Sequence, residues 1–278
     1  MSEPRNLEAV SDLPVGVAVD GSDYAQAAAD WAAGEALRRG TPLRVLTVVE
    51  DEIDEDSLEL LSDTETWLTK IYPGLFVQRD VLVGDPVRAL EVASREVATL
   101  VVGSRGLGGF AGLALGSVSL HLAARAHCPL VVVPQGHAAS AHHGPTVVGV
   151  DVHDCVQVLR YALGHAECAG GGLRVVHAWN AYPAHSSTYL SDTDITVWHE
   201  QERIFEWLKA ARADQYRVAR EIKVLRGNPA EVLIEQSRDA DLIVAGSHRS
   251  LLPGRGVGPV LHELLMRARC PVAVVPEH

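Results

Sequence analysis

The chain has 278 residues, 47% hydrophobic and 22% charged, which is enough for one large or two ordinary folded domains. A formal net charge of −12 argues against a protein that grips DNA or an anionic membrane by bulk positive charge. No apolar stretch approaches the roughly 18 residues of a membrane span, the N-terminus lacks a basic-then-apolar leader, and Cys128, Cys155, Cys168 and Cys270 lack zinc-type or Cys-x-x-Cys spacing; a soluble, cytoplasmic protein is expected.

After a polar lead, Pro14 to Val19 (PVGVAV) is predicted as a short buried strand that stops at Asp20-Gly21-Ser22. A helix over Ala25 to Arg39 follows, with Trp31 and Leu37 on its apolar side, Ser22 or Asp23 as its cap and Gly40 as its end. Leu43 to Val49 (LRVLTVV) is the second strand. The acidic run around Asp51 to Asp56 opens a solvent-facing helix reaching toward Ile71. A strand at Phe76 to Val83, a helix over Val87 to Glu96, a strand at Leu100 to Val102, a helix over Ser117 to Ala126 and a strand at Leu130 to Val133 complete the series. Strands alternating with helices need parallel crossovers, so the fold class is α/β: a doubly wound, Rossmann-like parallel sheet with helices on both faces.

The pattern then begins again. Thr146 to Val150 followed by Asp151 repeats the first strand and Asp20, and LRVVHAW at Leu173 repeats LRVLTVV. Gly227-Asn-Pro repeats Gly84-Asp-Pro, and Gly246-Ser repeats Gly103-Ser, both at an offset of 143; Cys270-Pro repeats Cys128-Pro at an offset of 142. Landmarks at nearly constant offset mean an internal duplication. Domains at 1–137 and 145–278 are expected, joined by a linker at 138–144 and packed as a pseudo-twofold pair. His137, His142 and His143 invite a metal reading of the linker region, but no acid or cysteine accompanies them, and a solvated linker is favoured. Cys128 and Cys270 precede prolines at equivalent places and suit small buried residues better than redox centres.

The stretch that carries chemistry is Gly103 to Ser119, with glycines at 103, 106, 108, 109, 112 and 116 and Ser117 where an N-cap hydroxyl is expected. Backbone amides of such a loop can approach an anion closely, and a helix start adds unpaired donors. The alternative is a flexible surface loop. From Val97 to Val150 there is no acid, while Arg105 and Arg125 are present, so this window departs from the global charge. A P-loop fails because no lysine lies between Lys70 and Lys209. The Gly106 to Ala111 match to a dinucleotide pattern sits after the wrong strand and lacks the ribose-binding acid. A metal hydrolase lacks convergent carboxylates and histidines near the loop, so no catalytic residue and no metal ligand is assigned.

Gly103-x2-Gly106-x9-Gly116-Ser117 resembles the Gly-x2-Gly-x9-Gly-[Ser/Thr] motif of the ATP-binding universal stress proteins. Asp20-Gly-Ser, the Val-x-x-Gly-x-Pro stretch at Val81 to Pro86 and the terminal Pro-x-x-Val-Val-Pro strands extend the resemblance over nearly the whole chain, twice. The resemblance implies five-stranded sheets of order 3-2-1-4-5 and ATP as the ligand, with Mg2+ as the divalent ion bridging its phosphates. It places Ala18 and Asp20 beside adenine and ribose, with the Val48 backbone at the adenine edge. Gly103 and Gly106 pass close to ribose and α-phosphate. Gly116, Ser117 and Val118 donate backbone N–H groups to the phosphates, with Ser119 in the same turn and Arg105 screening charge.

The second copy is altered. Arg249 stands where the second motif glycine belongs, and Gly258-Pro259 replaces Gly116-Ser117. Asp151, Gly246, His248 and Gly258 form an expected weaker site, with Arg249 and Arg255 adding positive charge. The function expected is a nucleotide-dependent regulator in stress adaptation, a homodimer or an intramolecular pseudo-dimer with an unknown regulatory protein partner. Two readings compete: a slow ATPase or adenylate-handling enzyme, and a structural stress protein that binds no nucleotide.

Overall fold

The structure, a computed structural model, describes residues 13–107, 115–136, 144–151, 155–179, 191–248 and 256–277. The first half begins with β1 (Val15–Ala18), a buried apolar run that delivers Asp20 just beyond its end. Ser22 caps α1 (Asp23–Arg39) by accepting from the Ala25 amide, and Gly40 closes it in the left-handed conformation. β2 (Leu43–Val49) leads to α2 (Glu55–Ile71), which the acidic run opens through an Asp54 cap. β3 (Val77–Val83) precedes α3 (Pro86–Ala93), β4 (Thr99–Gly103), α4 (Ser117–Arg125) and β5 (Leu130–Val133). Helix α3 starts one residue earlier than predicted, because proline suits a first helical turn, and stops short of Glu96.

The second half repeats this with β6 (Thr146–Val150), α5 (Val156–Ala169), β7 (Leu173–Trp179) and α6 (Ser191–Ala210). It continues with β8 (Arg220–Arg226), α7 (Pro229–Gln236), β9 (Leu242–His248), α8 (Pro259–Arg267) and β10 (Val272–Glu277). The histidines of the linker region, His137, His142 and His143, lie outside the described residues.

Among the described residues ten strands form one sheet, in the order β3-β2-β1-β4-β5-β10-β9-β6-β7-β8. Pairing is parallel within each half, and β5 meets β10 antiparallel. Two sheets that the sequence presents as separate are thus fused edge to edge, so that neither β5 nor β10 exposes a free row of backbone groups. The register pairs Val272 with Val132, Ala273 with Val131 and Val274 with Leu130. The duplication makes Ala273 the counterpart of Val131, so the local twofold axis passes between these two residues.

A second meeting of counterparts lies beneath the sheet, between α1 and α5. Measured from the closing glycines Gly40 and Gly170, Glu35 and His165 occupy equivalent positions, and His165 Nε2 stands 3.6 Å from Glu35 Oε2. Both are buried. Arg39 Nε and Arg38 Nη2 donate to Glu35 at 2.6 and 2.9 Å, Thr146 Oγ1 lies 2.9 Å from His165 Nδ1, and Trp31 stacks on the imidazole with ring centroids 6.0 Å apart. Burial opposes ionisation of Glu35, yet His165, Arg39 and Arg38 outweigh it and hold the carboxyl at about 2. Burial pushes His165 down to about 4 against the pull of Glu35, so it is neutral at pH 7. Leu37, expected on the apolar side, is 40% exposed. At about 100° per residue it lies some 120° around the helix from Trp31, whereas Glu35 is one turn on and shares the buried face.

Candidate functional site

Strands β1 and β4 are neighbours, but the chain leaves them toward opposite sides of the sheet, which opens a crevice at their carboxyl ends. A cavity of 430 Å³ lies there. Every residue singled out for the first half lines it: Ala18 and Asp20 after β1, Val48 on β2, Gly103, Arg105 and Gly106 after β4, and Gly116, Ser117, Val118 and Ser119 at the start of α4. The sequence reading missed the apolar walls supplied by Pro86, Leu90, Val102 and Leu115. Pro86 was legible as the end of Val-x-x-Gly-x-Pro; the leucines carry no local signal, since any buried strand or helix has them.

Asp20 organises the mouth. Its Oδ1 accepts from the Ser22 amide at 3.1 Å and the Ser22 hydroxyl at 2.6 Å, and its Oδ2 accepts from the Leu107 amide at 2.8 Å. The carboxylate therefore supports the α1 cap and ties the glycine loop to β1 at once. A Cβ on Gly106 would sit 2.3 Å from that same Oδ2, and a Cβ on Gly103 would sit 2.7 Å from the backbone of Tyr24 in α1. These glycines are spaces that neighbouring groups already fill. Arg105 lies with its guanidinium 5.5 Å from the Tyr24 ring centroid, and its buried Nε has no hydrogen-bond partner among the described residues.

Two details at α4 correct the sequence reading. Gly116, not Ser117, is the N-cap, and the Gly116 amide donates to the Ser104 carbonyl at 2.7 Å, so it is not available to a phosphate. Ser117 is instead the first helical residue, with an exposed side chain. Ser119 donates its hydroxyl to the Gly103 carbonyl at 2.7 Å and fastens the helix start to β4. What remains open at the cavity is the first-turn amides of Ser117, Val118 and Ser119, which have no partner within the helix, and the Ser117 hydroxyl. With the positive end of the helix dipole and Arg105, this arrangement suits an anion.

The second half has a cavity of 570 Å³ at the matching crevice of β6 and β9, and Asp151, Gly246 and Gly258 are among the residues that line it. His248 closes β9, and Arg249 and Arg255 lie outside the described residues. Pro259 opens α8.

A model of the universal stress protein family matches residues 14–134 and again 144–276. The chain belongs to the universal stress protein family. It carries two domains of that family in tandem, and is 31% identical over 304 residues to Universal stress protein Rv2005c of Mycobacterium tuberculosis, with 99% of each chain covered. A universal stress protein crystal structure from Archaeoglobus fulgidus DSM 4304 has the same fold, with a TM-score of 0.66 at 19% identity over 95% of this chain and 98% of that one. Universal stress proteins solved in complex with cAMP and with dAMP match less than half of this chain, at TM-scores of 0.39 and 0.35. Among the described residues no helix of this universal stress protein is long and apolar enough to cross a membrane.

Proposed function

We propose that this universal stress protein binds ATP in its first half and works as a nucleotide-dependent regulator in stress adaptation. The observation that supports it is the convergence of the whole Gly103–Gly106–Gly116–Ser117 motif on one cavity that offers helix-start amides and a buried arginine nitrogen with no hydrogen-bond partner among the described residues. The residues fit the nucleotide: Ala18, Val48 and Val102 offer an apolar floor to a base, and Ser117, Val118 and Ser119 offer amides to phosphate oxygens. ATP supplies a polyanionic chain that needs such partners. Among the described residues no group of three or more His, Cys, Asp or Glu side chains could hold a metal ion, so Mg2+ would ride on the phosphates.

The reading is of a binder more than an enzyme. Both Asp20 oxygens are committed to loop and cap, which leaves them poorly placed as a general base. The two domains pair within the chain through β5 and β10, which supports an intramolecular pseudo-dimer whose surface a regulatory protein reads. A cytoplasmic site of action agrees with four free cysteines.

Equilibrium binding of labelled ATP to the full chain tests this. One ATP per chain is expected, weakened by Gly106→Ala and by Ser117→Ala. Absence of binding overturns the reading, and sustained turnover at saturating ATP would replace it with the enzyme reading.

A further inference from the structure

Among the described residues the sheet ends at β3 on one side and at β8 on the other, and each of these strands has a strand neighbour on one side only. A terminal strand shows solvent a row of backbone donors and acceptors, and proteins guard such rows with charge. Here the two guards have opposite signs. Between Arg44 and Lys70 lie nine acidic residues and no basic one. The exposed stretch Asp51 to Asp56 stands at the Val83 end of β3, because it follows Val49, which pairs with Val83. From Lys209 to Arg226 there are six basic residues against two acidic ones, and Lys209, Arg217, Arg220 and Arg226 are exposed at the end of α6 and along β8.

Both edges also leave apolar side chains uncovered on the same face of the sheet. Leu61 and Leu68 of α2 and Ile204 and Leu208 of α6 join one core, so the two helices lie on one side. At the β3 edge Ile71 is 49% exposed and Phe76 65%, and Ile53 and Leu58 line an open groove of 830 Å³ with Arg79 and Val81 of the strand. At the β8 edge Trp198 is 55% exposed and Phe205 58%, two turns apart on one face of α6. Trp207-Leu208 repeats Trp67-Leu68, which makes Phe205 the counterpart of Glu65. Glu65 reaches Arg79 of β3 at 3.0 Å, so this helix position faces the sheet edge. The second half has an aromatic ring there.

The β5–β10 seam shows how two edges of this fold join. It runs antiparallel and turns the second half around, which brings α1 and α5 together on one face and carries Arg125 of α4 to the second cavity. By the same turn β8 runs antiparallel to β3. A second copy set beside the first without rotation therefore lays its β8 antiparallel against β3 and its α6 on the face of α2. The Arg220 end of that β8 meets the Val83 end of β3, where the acidic run stands. Helix α6 begins at the other end, since Trp179 before it pairs with Arg226, so Trp198 arrives beside Ile71 and Phe76. Symmetric unions of β3 with β3 or β8 with β8 would set like charges together.

We propose that the acidic β3–α2 edge is a docking surface for the basic β8–α6 edge of a second copy of this chain. Charge chooses the partner edge, the strands extend the sheet, and Trp198 and Phe205 supply the apolar anchors. The contact is heterologous, so it leaves one free edge of each kind, and association continues past the dimer. It concerns the sheet edges alone and is independent of what either cavity binds.

Sedimentation velocity of the full chain, over a concentration series at low and high salt, is the test. Species larger than a dimer are expected as concentration rises, and fewer at high salt, where the charges are screened. Asp51→Lys with Glu52→Lys, and separately Lys209→Glu with Arg217→Glu, are each expected to weaken self-association about tenfold or more. Mixing the two variants should restore it, because the unaltered acidic edge of one meets the unaltered basic edge of the other. Trp198→Ala should weaken it about tenfold with every charge in place. All five side chains are exposed, so circular dichroism melts close to wild type are expected. A monomer at every concentration, association that stops at a dimer, or charge variants that associate as the wild type does overturns the inference, as does a mixture that restores nothing.

Discussion

The Asp20 carboxylate and the Leu107 amide, 87 residues apart in sequence, meet at 2.8 Å across the mouth of the first cavity. This one bond sets where the glycine loop begins relative to β1, and the same carboxylate fills the space that a side chain at 106 would need. Asp20→Ala is therefore expected to free the loop. Labelled-ATP binding should weaken about tenfold, while a thermal melt should report only about 1–2 kcal/mol lost, the usual size of a cap and a charged hydrogen bond. Binding equal to wild type would mean that the loop is placed by something else.

Glycine substitutions in the loop should rank by what their new methyl meets. At 103 it meets backbone of α1 at 2.7 Å, and at 116 its nearest neighbour is Arg105 Cα at 3.3 Å. Gly103→Ala is expected to cost about 1–3 kcal/mol of stability, as overpacking does, and Gly116→Ala less. Urea unfolding of the two variants gives the comparison, and the reverse order would contradict the packing described.

Acid stability should report the Glu35–His165 pair. His165 resists protonation when folded, so as pH falls from 6.5 toward about 4 the unfolded chain takes up a proton that the folded one refuses, and stability falls. Below 4.5 and down to about 2 the unfolded Glu35 is protonated while the folded one stays ionised, and stability falls further. His165→Gln should flatten the upper window and narrow the lower one, because His165 is the first of the groups that hold Glu35 down. Glu35→Gln is expected to destabilise by about 3–5 kcal/mol near neutral pH, because Arg38 and Arg39 lose a buried partner, and by less as pH falls toward about 2. Denaturant midpoints measured across pH 2 to 8 decide both.

Thiol labelling should find one readily accessible cysteine. Cys168 is exposed, whereas Cys128, Cys155 and Cys270 are buried, and burial pushes the Cys128 and Cys270 thiols up to about 12. A disulfide reagent is expected to modify one thiol per native chain quickly and the other three only on unfolding, with the fast phase absent in Cys168→Ser. A fast second thiol in that variant would show that one of the buried three opens to solvent.

Much of this was legible without coordinates, for local reasons. Leu43–Val49 and Leu130–Val133 are apolar runs bounded by turn residues, Gly40 ends a helix that no other residue would end as cheaply, and the offsets of 142 and 143 expose the duplication. The site motif was legible because Gly103 and Gly106 mark places where backbone must pass close to something. What they pass close to was not: Tyr24 and Asp20 belong to the far end of a different βα unit.

Sequence by itself determined the fold class, the tandem repeat and one intact glycine motif beside one altered copy, since each is written in residues close together or at a fixed period. Tertiary structure alone decided that Gly116 rather than Ser117 caps α4, that Glu35 rather than Leu37 is buried, and that α4 of the first half closes the cavity of the second. The first rests on the Gly116 amide bonding to Ser104 and the second on which face of α1 meets its neighbours, while the third follows from the antiparallel seam of β5 and β10; no local pattern encodes which edge of a sheet will meet which.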